Sequence, residues 1–196
     1  MKQLQKLVGE KCFLTPADGS VADIVAEWSN DLDLSIKTGD ISDMITYDLQ
    51  KQYLQEMNSS RGYAFYIVDK TNEKVIGVAR LMRISFINRN AVMGMFIGDK
   101  NIRSGGIGTD ASMLLLDFAF NVLNLRNIMV EIFSFNKASI NMCRKCGFKE
   151  IGRRRKAILY GKNEFDEVYM DILSEEFDNS IIDKQIKKIE ENNNVY

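Results

Sequence analysis

Residues 101–123 read NIRSGGIGTDASMLLLDFAFNVL, and the turn inside them, Arg103-Ser104-Gly105-Gly106-Ile107-Gly108-Thr109, decides how the rest of the chain is read. Before it stands a hydrophobic run, AVMGMFIG at 91–98. After it, Ile107, Ala111, Leu114, Leu115, Phe118, Ala119 and Val122 recur at steps of three and four. Those steps place them on one face of a helix. Glycine lets the backbone turn sharply and come close to a ligand. The first N–H groups of a helix lack intrahelical partners, and the helix dipole adds positive charge there. A helix that opens on glycines is therefore suited to an anion such as phosphate.

The segments before the turn change period from helix to strand. YAFYIVD (63–69), VIGVARLMRISF (75–86) and AVMGMFIG (91–98) read as three strands, joined by TNEK and by the tight turn NRN at 88–90. Short turns between strands make an antiparallel meander. NIMVEIF (127–133) reads as a buried strand, and Asn136 to Cys146 as a helix stopped by Gly147. Two strands follow at 148–159 and 165–173, around a GKNE turn.

Toward the N-terminus, KCFLT (11–15) reads as a short strand, and Asp18 or Ser20 caps a helix through Trp28. The stretch 29–40 is polar and reads as a loop. Asp40 or Ser42 then caps a helix with the stripe Ile41, Met44, Ile45, Leu49, Tyr53 and Met57. From Ser174 the chain is charged, with Phe177, Ile181, Ile182, Ile186 and Ile189 at near-helical spacing. The expected organisation is one α+β domain over 1–173, a mixed and mostly antiparallel sheet flanked by helices. A charged helical tail follows at 174–196, docking on the domain or on a second copy.

Composition narrows the chemistry. The 196 residues carry 26 basic and 27 acidic side chains, a balance that argues against bulk nucleic-acid binding. No segment has the order of a signal peptide, and no apolar run approaches the ~18 residues that span a membrane. Three irregularly spaced cysteines suit a reducing, cytoplasmic location rather than a disulfide framework. There is no histidine, which removes every mechanism that needs an imidazole. Cys143-Arg144-Lys145-Cys146 has C-x-x-C spacing, but zinc needs four ligands and no second pair exists, so no metal is expected. The pair also ends a helix, whereas a redox pair would open one. Arg153, Arg154, Arg155 and Lys156 form the one basic run. Alternating faces on a strand make it read as a charged edge that resists aggregation, with an acidic substrate or a cofactor phosphate as the functional alternative.

Three nucleotide motifs can be weighed for 103–109. A P-loop needs a Lys after the last glycine, and none is present. A dinucleotide fingerprint needs G-x-G-x-x-G in a parallel unit, and this spacing differs. The pattern R/Q-x-x-G-x-G/A, a pyrophosphate loop for coenzyme A, fits. A glycine-rich turn with no ligand stays open on the loop alone. The wider context is more specific. The loop follows a hydrophobic strand, its helix leads into NVLNLRNIMVEIFSFN, Asn136 opens NKASINMCRKCGF, and GRRRKAILYGKNEFDEVYMDIL closes the order. In these four features the chain resembles the GNAT superfamily of acetyl-CoA-dependent N-acetyltransferases, over roughly residues 11–173. Within it, the resemblance points to the ribosomal-protein alanine (RimJ/RimL) and spermidine acetyltransferase branch.

The resemblance implies acetyl-CoA as co-substrate and an amine acceptor: a protein N-terminus, a polyamine or another small amine. It implies that the backbone amides of Arg103, Ser104, Gly105, Gly106, Gly108 and Thr109 hold the pyrophosphate. Phe96 and Ile97 would pair through their backbone with the pantetheine arm, and Asn136 would hydrogen-bond it. Where the family often has a tyrosine general acid, this chain has Cys143, which either donates a proton or fills space. Val92 stands where the family has an acidic residue. Asp31 and Asp33 lie in a region that shapes the acceptor site, and Glu131 is a further candidate carboxylate. The missing acid and base keep a second reading open, a non-catalytic coenzyme-A-binding regulatory domain. A homodimer is also left open.

Overall fold

A computed structural model describes residues 4–59, 62–102, 105–178 and 180–193. Eight strands form one sheet in the order β1-β2-β3-β4-β5-β6-β8-β7. The hairpin of β1 (Leu7–Val8) and β2 (Cys12–Pro16) leads into the meander β3 (Tyr63–Asp69), β4 (Val75–Ser85) and β5 (Asn90–Ile97), and every neighbouring pair among them is antiparallel. β6 (Asn127–Phe133) joins β5 in parallel, and β8 (Asn163–Leu173) pairs with β6 and with the edge strand β7 (Lys149–Tyr160) antiparallel. This is the mixed, mostly antiparallel sheet expected from the sequence.

Helices cover both faces. Strand alternation sends Ile67, Ala79, Leu81, Met93, Ile128 and Val130 to one side, into a core with α4 (Ile107–Asp117) and α5 (Lys137–Lys145). The other side, with Phe13, Tyr66, Val68 and Val78, packs under α1 (Ala22–Ser29) and α3 (Tyr47–Ser59).

Several local readings differ from expectation. The polar stretch 29–40 contains a short helix, α2 (Leu32–Thr38), opened by the Asp31 side chain and closed by Gly39 at φ 93. No side chain caps α1; Asp18 instead closes a turn by accepting from the Ser20 N–H at 2.9 Å. α3 starts at Tyr47, later than Asp40 or Ser42, with the Thr46 hydroxyl accepting from Leu49 N–H at 3.2 Å. The apolar stripe assigned to it is not its buried face: Ile41, Met44, Leu49 and Tyr53 are exposed, while Leu54 is buried. At Phe118–Val122 the helix after the glycine turn widens to i→i+5 bonding. That rotates Val122 out of the expected stripe and leaves it exposed.

The tail helix α6 (Ile181–Asn193) is tied down at its start. Asp117, buried at the end of α4, accepts from Ser180 Oγ at 2.9 Å, from Ile181 N–H at 2.8 Å and from Ile182 N–H at 3.1 Å. A carboxylate from another helix thus satisfies the orphan donors of α6. Phe177 stacks on Phe120 just upstream, while Ile186 and Ile189 stay exposed. Replacing Asp117 by Ala removes the acceptor from one buried donor, Ser180 Oγ, and two partly buried ones, Ile181 and Ile182 N–H. The expected cost is about 2–4 kcal/mol in urea unfolding, together with faster amide exchange confined to α6 and the end of α4. Exchange unchanged in α6 would show that the helix is held by other means.

Candidate active site

β5 and β6 pair only at Asn90↔Asn127, Ala91↔Ile128 and Val92↔Met129, and then part. Between them opens a cleft of about 660 Å³ that runs through the sheet. On the α4–α5 side it is lined by Gly106, Ile107, Gly108, Thr109, Asn136, Ala138 and Cys143. On the α1–α3 side it is lined by Leu34, Lys37, Thr38, Arg80, Met82, Val92, Gly94 and Glu131.

The glycine turn shapes the first mouth. Gly106 caps α4 with φ 80, a left-handed conformation that glycine adopts without strain. It lets the chain turn so that the open N–H groups of Ile107, Gly108 and Thr109 begin a helix at the cleft wall. Lys11 adds positive charge there: its Nζ donates to Gly105 O at 2.6 Å. The hairpin bearing Lys11 is itself fixed by Asp110 in the first turn of α4, which accepts from Lys11 N–H at 2.8 Å and Cys12 N–H at 3.0 Å. Arg103 and Ser104, also expected to hold pyrophosphate, lie outside the described residues.

Backbone direction on β5 refines the next expectation. Gly98 donates its N–H to Ile76 O at 2.8 Å, so residue 98 faces β4. Successive residues alternate, so Phe96 faces β4 as well, whereas Met95 and Ile97 turn their backbone groups away from β4. Phe96 and Ile97 both line the cleft, but the amides directed to it are those of Ile97 and Met95. Sequence reasoning missed Met95; strand parity counted from the turn at Gly98 would have found it. The Phe96 ring packs edge-on against Trp28, at 6.3 Å between centroids.

Asn136 caps α5, its Oδ1 accepting from Ser139 N–H at 3.2 Å. Its Nδ2 donates to no group among the described residues and can serve a ligand in the cleft. Two turns along α5, Cys143 reaches the same cleft and is only 3% exposed. Burial pushes its thiol from an ordinary value of 9.0 up to about 12. Cys146, buried in the core beside Ser112, is pushed up to about 11 by its own burial. All three cysteines are free and buried, and no group of three metal-ligating side chains occurs among the described residues.

The structure does not bring Asp31 or Asp33 to the cleft. Asp31 accepts from Leu34 N–H at 3.1 Å as the cap of α2, and its other oxygen meets Lys100 Nζ at 2.8 Å. That hydrogen bond from Lys100 holds its carboxyl below the usual range. Asp33 pairs with Lys37 one turn on, at 2.7 Å. Glu131 does line the cleft, on its α1–α3 side, held by Arg83 at 2.6 Å. The basic run lies on edge strand β7, where Arg153, Arg154 and Lys156 pair with Glu150, Glu167 and Glu164.

The model of the acetyltransferase (GNAT) domain matches residues 13–149, and the chain belongs to that family. It is 31% identical over 110 residues to "Probable N-acetyltransferase YjcK" of Bacillus subtilis. It is 25% identical over 105 residues to a spermidine N(1)-acetyltransferase of Vibrio cholerae. These matches cover 55% and 54% of this chain but only 59% and 60% of the two relatives. The fold is similar to that of a Vibrio cholerae spermidine N-acetyltransferase crystallised with CoA and spermine. There the TM-score is 0.77 at 19% identity, over 86% of this chain and 99% of the other.

The raised thiols carry a sign that can be checked. A buried thiol holds its proton more tightly in the folded than in the unfolded chain, so the unfolded state is favoured as pH rises past 9.0 toward about 12. Stability should therefore be level from pH 7 to 8.5 and fall above 9. Cys143→Ser, which cannot ionise, should show a shallower fall between pH 8 and 10.5 in urea unfolding. A slope equal to the parent's would mean that the Cys143 thiol is not buried as described.

Proposed function

We propose that the chain is an acetyl-CoA-dependent N-acetyltransferase that moves the acetyl group directly to a primary amine. The single observation that carries this is the through-sheet cleft, with a phosphate-suited helix start on one face and a separate acceptor mouth on the other. Bound acetyl-CoA would supply the activated acetyl thioester. The glycine-turn amides and Lys11 hold its pyrophosphate. The N–H groups of Met95 and Ile97 orient the pantetheine arm and stabilise charge as it grows on the carbonyl oxygen. Asn136 fixes the arm through its Nδ2.

The amine must lose its proton to attack. The one carboxylate among the described cleft residues, Glu131, is committed to Arg83, so water reaching the acceptor mouth takes that proton. The departing thiolate has an ordinary pKa of about 8.5 and needs little help. A thiol pushed to about 12 is a poor proton source for it, so Cys143 serves as a small buried filler of the cleft wall. Free thiols suit a reducing cytoplasm, and no described helix is long and apolar enough to cross a membrane. Exposed Ile41, Met44, Tyr47 and Leu49 provide a surface for pairing with a second copy.

The absence of an acid–base pair among the described cleft residues favours one other reading, a coenzyme-A-binding domain without turnover. Acetyl-CoA consumption over a broad amine panel separates the two, since tight binding without turnover on any amine would support the second. Gly106→Val tests the cofactor assignment itself. A Cβ at this positive φ is strained and would lie 3.0 Å from Lys11 Nζ. Acetyl-CoA affinity should fall at least thirtyfold by calorimetry while circular dichroism stays unchanged. Undiminished affinity in a folded variant would sink the assignment.

A further inference from the structure

Arg80 is set apart from the other charges of the acceptor mouth. It stands on β4 directly opposite Gly94 of β5, with its side chain in the cleft. Its Nη1 donates to Tyr53 Oη of α3 at 3.2 Å. Its Nε is shut off from solvent and donates to no group among the described residues. A buried donor of this kind is unfavourable until an acceptor reaches it. With Nη1 held by Tyr53, the Nε–Nη2 edge of the guanidinium is left. That edge is a planar fork matched to the two oxygens of a carboxylate or phosphate.

Charge matching points the same way. Glu131 is bound by Arg83 at 2.6 Å and Lys37 is bound by Asp33 at 2.7 Å. Arg80 has no carboxylate partner among the described residues and is the positive charge left over. A polyamine would bring several positive charges to this mouth, where the one lining carboxylate is already neutralised. Gly94 leaves room opposite Arg80 that the Met82 side chain takes up, since a Cβ there would meet Met82 Cε at 2.9 Å, and the cleft volume in front of the fork is the one that Arg80 and Met82 both line.

We infer that, granted the acetyltransferase reading, the acceptor is a small primary amine that also carries an anionic oxygen group, a carboxylate or a phosphate, and that the Nε–Nη2 edge of Arg80 binds it. Tyr53 is the positioning residue that aims the fork.

The test uses matched acceptors with the full chain and acetyl-CoA. An ω-amino acid is set against its amide, an aminoalkyl phosphate against its alcohol, and spermidine stands apart. The anionic member of a pair should be favoured roughly ten- to hundredfold in kcat/KM. Which pair shows the larger ratio tells carboxylate from phosphate. Arg80→Gln should bring that ratio close to one, chiefly through KM, and Arg80→Lys should restore part of it. Calorimetry with acetyl-CoA confirms that the variants fold. Preference for spermidine or for the uncharged members, or a ratio that survives Arg80→Gln, overturns the inference and leaves the enzyme reading standing. Turnover on no amine at all overturns the enzyme reading and this inference together.

Discussion

The parting of β5 from β6 after Val92 and Met129 is the constraint on which the site depends. Neither strand can close the gap by shifting. β5 is held along its other side by β4, from Gly77↔Ile97 to Ser85↔Asn90. β6 is held by β8 along its whole length, from Asn127↔Leu173 to Phe133↔Glu167. Each ladder would lose pairs if its strand moved, so the opening is a fixed feature of the sheet. The backbone edge exposed there offers hydrogen bonds to an extended ligand arm, much as a strand adding to a sheet would use them.

The two mouths of the cleft are built by different means. The α4–α5 face offers backbone: helix-start amides, the left-handed Gly106, and an N-cap asparagine whose Nδ2 has no acceptor among the described residues. Such a surface suits a ligand common to a whole family, because it tolerates change in side chains. The α1–α3 face offers side chains contributed by four separate elements. There Arg80 differs from its charged neighbours in having no counter-charge among the described residues. Under the proposed function, selectivity for the acceptor would belong to this second face, to which the short helix α2 brings Leu34, Lys37 and Thr38.

Much of this architecture was legible in the sequence, for physical reasons. The meander is punctuated by short turns and a period of two, and the glycine turn announces a helix start. Where reading failed, two signals competed. Asp31 and Gly39 are a helix N-cap and a helix stop seven residues of helix apart, but the polar residues between them masked α2. Ile41 to Tyr53 have helical spacing, yet the buried contact of α3 is Leu54, because α3 starts only at Tyr47 and tertiary packing overrides the stripe. Arg80 reads as one more polar residue in VIGVARLMRISF. Only its register opposite Gly94 and the reach of Tyr53 give it a role, and neither is local in sequence.

We propose that acetyl-CoA lies along β5 with its phosphates at the start of α4. Amide hydrogen exchange with and without acetyl-CoA measures this directly. Added protection is expected at Met95, Ile97, Gly108 and Thr109, and none along the outer edge of β7. Protection that appeared at the β7 edge or nowhere in β5 and α4, under saturating acetyl-CoA, would contradict it.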